Sequence, residues 1–130
     1  MGNPAAKLGD QVVGTDIHIV MVPSSGGPVP TPVSLPFAGR IMTGCSNDVL
    51  IEGKPAAVHG SVAVNLPPHV PTGGSFQKPP DNRGTVLAVG PLVLVNNKPL
   101  AKAGDKVLTC NDPAPAPTST VIATGQVLVG

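Results

Sequence analysis

A proline-alanine segment occurs three times along this 130-residue chain, and its recurrence constrains the fold more than any other feature of the sequence. The copies are NPAAKLG at 3–9, KPAAVHG at 54–60 and KPLAKAG at 98–104. Each copy is followed directly by Asp or Ser. Segments repeated in this way are typical of repeat folds, in which each unit buries its apolar face only against its neighbours. The sequence therefore predicts three similar units packed around one another.

The segments between these copies predict strands rather than helices, because they are short β-branched runs bounded by Gly, Pro and Asn. The fold class indicated is all-β. The predicted strands are DVLIEG at 48–53, TVLAVG at 85–90, PLVLVNN at 91–97 and TVIATGQVLVG at 120–130. Proline removes a backbone donor. Three proline-rich segments are therefore predicted to be long loops: 23–36, 65–82 and 111–118.

The repeat unit consists of a strand, a Gly turn, a second strand, the proline-alanine turn and a tail. Two units are complete, at roughly 39–69 and 84–110, whereas the two ends of the chain each hold half a unit. We expect the C-terminal strand 120–130 to complete the N-terminal half-repeat 3–18, so that 1–130 is a single domain closed by its ends. Closure would also remove exposed strand edges. An open β-sandwich of simple hairpins is the alternative.

Composition narrows the functions that fit. The chain has a net charge of +1, two Phe and no Trp or Tyr, so it lacks the basic patch and stacking aromatics of a nucleic-acid-binding protein. The N-terminus MGNPAAKLGD has neither the basic region nor the apolar core of a signal peptide, and we expect synthesis in the cytoplasm. Cys45 and Cys110 are then expected to be thiols or metal ligands rather than a disulfide.

The histidines occupy related positions in the repeat. His18 lies eight residues after Asp10 of the first unit, and His69 lies eight residues after Ser61 of the second. The tail of the third unit supplies Cys110. Cys110 lies five residues after Asp105, so each of the three equivalent tails supplies one imidazole or thiolate ligand. This arrangement predicts a metal site, and a set of three His and one Cys suits Zn²⁺.

The fourth ligand is left open by the repeat, between His59 and Cys45. Cys45 lies in a Gly turn that has no tail-like position, and a buried thiol is usually a small apolar side chain, which favours His59. Four protein ligands would close the site. An enzyme is therefore not expected, since a zinc hydrolase needs an open coordination position and a nearby carboxylate base. A nucleophilic pair of Cys110 with a histidine is disfavoured because no third group or oxyanion hole is arranged around it.

The segments NPAAKLGD, GKPAAVHGS and NKPLAKAGD, followed by LTCNDP, resemble the PAAR-repeat proteins over essentially the whole chain. This resemblance implies a small cone-shaped, pseudo-threefold β-prism of short hairpins with a metal at its vertex. It assigns the metal to His18, His59, His69 and Cys110, with zinc as the cofactor and iron as the alternative. The Arg of the family motif is replaced here by Lys7, Val58 and Lys102.

The resemblance also implies a function. PAAR-repeat proteins cap the trimeric β-helical spike of contractile injection systems, such as type VI secretion systems and phage-tail-like particles. We therefore expect a piercing tip, one copy per spike trimer, delivered outward on contraction, with transient contact to the target membrane and with effectors as further partners. The alternatives are a non-piercing zinc-bound adaptor that recruits effectors and a small zinc hydrolase.

Overall fold

The computed structural model describes residues 3–71, 73–88 and 93–129. These residues form thirteen strands and no helix, so the all-β prediction is confirmed and none of the described segments is a helix that could cross a membrane. The predicted strands at 85–90 and 91–97 are described only up to Ala88 and from Val93 onward, and 89–92 lie outside the described residues. The strands are β1 (Asn3–Pro4), β2 (Gln11–Val22), β3 (Val29–Thr43), β4 (Leu50–Ile51), β5 (Lys54–Pro55), β6 (Val62–Asn65), β7 (Ser75–Phe76), β8 (Arg83–Leu87), β9 (Leu94–Val95), β10 (Lys98–Pro99), β11 (Lys106–Thr109), β12 (Ala116–Ile122) and β13 (Leu128–Val129).

The three proline-alanine turns bind one another in a cyclic pattern, which we call the alanine triangle. The backbone N–H of Ala6 donates to the carbonyl of Ala101, Ala101 donates to Ala57, and Ala57 donates to Ala6, over 2.9–3.0 Å. All three alanines are fully buried. Their methyl groups belong to the buried core, so a larger side chain at any of these positions would have to displace packed neighbours.

Three short strand pairs, here called the outer strand pairs, lie at equivalent positions of the three units. They are β4–β5, β9–β10 and β1–β13, and they align Ile51 with Lys54, Val95 with Lys98, and Val129 with Asn3. In the first two, a two-residue turn with positive φ at both positions connects the strands, which is typical of a tight β-hairpin. In the third, the two strands come from opposite ends of the described chain. Ile51, Val95 and Val129 are buried in one apolar cluster beneath these pairs.

The remaining strands form a closed arrangement, the six-strand ring. Its order is β2-β3-β6-β8-β11-β12, every pair is antiparallel, and β12 pairs back onto β2 through Val121 opposite Val12. The short strand β7 adds to the other end of β2. β2 and β12 approach so closely at Gly14 that a Cβ there would lie 2.6 Å from the carbonyl oxygen of Thr118.

The interior of the six-strand ring is filled by small and β-branched side chains together with Phe37. Equivalent positions of the three units contribute equivalent residues. One such set is Ile41, Val86 and Val121, each at 0–1% exposure. A thin core of this kind explains why the chain needs few aromatic residues.

The segment 23–36 differs from the predicted loop, because Val29–Pro36 belongs to β3 and pairs with β2 residue by residue. Pro30, Pro32 and Pro36 all occupy even positions. The N–H of Ala38, also even, donates to the side chain of Asn65, away from β2. Since alternate residues of a strand direct their nitrogens to the same edge, these prolines lack donors only on the edge that β2 does not use. The prolines therefore do not prevent β3 from forming a strand. They only remove backbone donors from the edge of β3 that does not pair with β2.

The other two proline-rich segments contain short strands as well. The segment 65–82 includes the last residue of β6 and all of β7, and β12 begins inside 111–118, at Ala116. The described residues between β6 and β7, and those between β11 and β12, are irregular. These two irregular connections border the candidate site.

Candidate metal centre

Four side chains that are commonly metal ligands meet at one place. They are Asp16, His18, His69 and Cys110, and one ligand atom from each lies within 4.8 Å of the others. Asp16 and His18 are two residues apart on β2 and therefore share a face of that strand. His69 follows β6, and Cys110 directly follows β11. The strands that leave the three proline-alanine turns thus each lead to this cluster.

Asp16 is held so that one carboxylate oxygen faces the other ligands. Its Oδ1 accepts hydrogen bonds from the hydroxyl of Thr109 at 2.5 Å and from the amide of Asn111 at 3.3 Å. Its Oδ2 lies 2.8 Å from Nε2 of His69 and 3.4 Å from Sγ of Cys110. Since Asp16 is fully buried, this arrangement offers a single, preoriented oxygen to an ion.

His69 is positioned by two asparagines. Its backbone N–H donates to Oδ1 of Asn82 over 2.8 Å, and Nδ2 of Asn65 lies 3.3 Å from its Nδ1. Asn65 is itself fixed, because its Oδ1 accepts the N–H of Ala38 and its Nδ2 donates to Asn82. The imidazole of His69 therefore approaches the cluster with Nε2.

His18 is the cluster residue whose buried side chain lacks hydrogen-bond partners in the described part of the chain. It is 1% exposed, and neither of its ring nitrogens has a hydrogen-bond partner among the described residues. A buried polar group without a partner costs about 1–3 kcal/mol. A cation bound by His18 would remove that cost, so the site fits a metal ion.

Cys110 is a buried thiol that stays protonated in the absence of a metal. Burial first, and then the negative charge of Asp16, raises the pKa of Cys110 from 9.0 to about 12. A thiol with this pKa is a poor nucleophile, which weakens the Cys–His alternative. It becomes a good ligand only when a cation replaces its proton. A cavity of about 80 Å³ lined by His18, Cys110 and Asp112, among others, borders the cluster.

The structure brings together three of the four predicted ligands and places His59 elsewhere. The side chain of His59 is exposed, and its Nδ1 accepts the N–H of Ala88 over 3.2 Å. Its backbone N–H donates to the carbonyl of Pro99, which holds it at the proline-alanine turn rather than in a tail. Cys45 is also outside the cluster, with its Sγ 3.9 Å from the hydroxyl of Ser61.

Asp16 is the member of the cluster that the sequence analysis missed. Its position two residues before His18 was the available signal, because strand alternation puts both side chains on one face. Asp16 has no counterpart in the repeat pattern that identified the other ligands. The cluster is therefore one carboxylate, two imidazoles and one thiol.

No protein-family model, curated protein or solved structure matches this chain. Conclusions about function therefore depend on the residues and the geometry of the chain itself. Three features bear on function: the threefold hydrogen-bond pattern of the alanine triangle, the three equivalent outer strand pairs, and the buried cluster of Asp16, His18, His69 and Cys110.

Proposed function

We propose that this protein is a metal-stabilised piercing tip that caps the trimeric β-helical spike of a contractile injection system. On this proposal the chain is a PAAR-like, cone-shaped prism, and one copy sits on each spike trimer. It travels outward with the particle on contraction and aids puncture of the target membrane and delivery of effectors. The protein would act through shape and rigidity rather than through a reaction.

The observation that carries this proposal is the equivalence of three leucines on the outer strand pairs. Leu50, Leu94 and Leu128 occupy the same position in the three units and are 59%, 58% and 58% exposed. Exposed apolar side chains at symmetric positions favour an interface. A single chain with three similar faces can make nearly the same contact with each subunit of a trimer. The expected complex is therefore one copy of this chain per three spike chains.

A metal ion bound at the cluster would support the same role. Zinc is the ion we propose, with iron as the alternative, because imidazole and thiolate suit both and a carboxylate completes a tetrahedral set. An ion bound by Asp16 and Cys110 would connect positions 94 residues apart in sequence. Binding energy at such a site becomes folding energy, which would keep the end of the six-strand ring from opening under load.

Native mass spectrometry of the protein mixed with a purified trimeric spike protein from the same organism tests the proposal. We expect a complex of one tip and three spike chains. Replacing Leu94 and Leu128 by Glu should abolish it, because two of the three equivalent contacts would bury a charge. Val70→Glu is the control, since Val70 is 69% exposed and lies outside the outer strand pairs. A 3:3 complex, or binding that survives the double leucine variant, would contradict the proposed geometry.

A further inference from the structure

The tripeptide Cys110–Asn111–Asp112 is attached to the segment of β2 that carries two of the cluster residues. The side-chain oxygen of Asn111 accepts the N–H of Ile17 over 2.7 Å, and Oδ2 of Asp112 accepts the N–H of Ile19 over 2.8 Å. The backbone N–H of Asp112 donates to the carbonyl of Ile17. These bonds are made beyond Gly14, where the pairing of β2 with β12 ends. Side chains thus replace a neighbouring strand on both sides of His18.

Asp112 faces His18 from this position. Its Oδ2 lies 3.5 Å from Nδ1 of His18, and the two side chains are 6% and 2% exposed. The carboxylate cannot turn away without losing the bond to Ile19. The separation is longer than a charge-assisted hydrogen bond of about 2.7–2.9 Å, so the two side chains must come closer before Nδ1 can donate to Asp112.

We propose that Asp112 is a positioning residue for the metal centre: it holds a proton on Nδ1 of His18 and leaves Nε2 free to bind the ion. A histidine that binds a metal through one nitrogen commonly donates the other N–H to a carboxylate, which fixes the orientation and the tautomer of the imidazole. Asp112 is the carboxylate that stands at Nδ1, whereas Asp16 belongs to the cluster itself. The inference rests on the proposed metal centre but concerns a residue outside the four ligands.

Each of the three residues of the tripeptide would then have a role in the metal centre. Cys110 is a ligand, Asn111 holds Oδ1 of Asp16 through its Nδ2 at 3.3 Å, and Asp112 orients His18. Three consecutive residues after β11 therefore set the geometry of both cluster residues on β2. This coupling makes the connection between β11 and β12 part of the site rather than a spacer.

Two measurements test the inference. Long-range ¹H–¹⁵N correlation spectra of the metal-free wild-type protein, under alkaline conditions in which free imidazole is neutral, should show the His18 proton on Nδ1. Asp112→Asn should lower the affinity for Zn²⁺ by about 10–100-fold in a competition titration with a chromogenic chelator. Asparagine still offers an oxygen to the N–H of Ile19, so the loop should keep its position.

Asp81→Asn is the matched control, because Asp81 borders the same cavity and its carboxylate accepts only the N–H of Arg83 among the described residues. It should change the affinity for Zn²⁺ far less than Asp112→Asn does, because the Asp81 carboxylate makes no hydrogen bond to a cluster residue among the described residues. A proton on Nε2 of His18 in the wild type, or an unchanged affinity in Asp112→Asn, would overturn the inference. If the wild type itself binds no Zn²⁺, the proposed metal centre fails, while the tautomer measured without metal still tests the role of Asp112.

Discussion

Val121→Ala is the substitution that tests whether β12 closes the six-strand ring. Val121 is 1% exposed and lies opposite Val12 of β2. Its backbone carbonyl accepts the N–H of Gly104, and its N–H donates to the carbonyl of Asp105. The side chain therefore packs at the joint between the C-terminal strand and two earlier units. If the ring is closed as described, removing part of this side chain leaves a cavity in the shared core.

The expected cost follows from the two carbon atoms that the substitution removes. Loss of burial contributes about 1.6 kcal/mol, at about 0.8 kcal/mol per methyl or methylene group. The cavity left in a close-packed core adds to this, for a total of about 2–3 kcal/mol. For a domain of this size, such a loss lowers the melting temperature by roughly 10 °C.

Urea unfolding of the chelator-treated protein is the suitable assay, because loss of metal then cannot add to the effect. Val29→Ala makes the same chemical change at a strand residue that is 49% exposed, and it should cost less than about 1 kcal/mol. Val86→Ala, at the equivalent buried position of another unit, should cost as much as Val121→Ala. If Val121→Ala is as mild as Val29→Ala, β12 does not close the core.

Two further predictions concern Cys110. Elemental analysis of the freshly purified protein should find about one metal ion per chain. The Cys110→Ser variant should lose more metal and more thermal stability than the Cys45→Ser variant. Equal losses in the two variants would exclude Cys110 as a ligand. In the metal-free protein, the raised pKa of Cys110 means that the unfolded thiol ionises near pH 9.0 while the folded thiol remains protonated. The free energy of unfolding should therefore fall more steeply above pH 9.0 in the wild type than in Cys110→Ser, and parallel curves would contradict the assigned burial of the thiol.

The cyclic contact of the three turns shows what local sequence can determine. Ala6, Ala57 and Ala101 occur in recognisable copies of one segment, and the structure uses them equivalently in the alanine triangle. The all-β class was likewise predictable, because β-branched runs between turn residues favour strands wherever they pack. His18 and His69 could be selected because each lies eight residues after the Asp or Ser that follows its turn, and Cys110 because it lies in the tail of the third unit.

The tertiary structure alone decided the features that depend on neighbouring chain segments. Proline disfavours a strand only where its missing N–H would have to bind a neighbouring strand. In β3 the neighbour is β2, and only the tertiary structure shows that the prolines direct their nitrogens to the other edge. His59 has the residue type of a ligand, but hydrogen bonds to Ala88 and Pro99 hold it at a turn. Asp16 joins the cluster because β2 continues beyond Gly14, where its pairing with β12 ends, and Asp16 shares the face of β2 that carries His18. The register between β2 and its neighbours determines this, and the repeat does not encode that register.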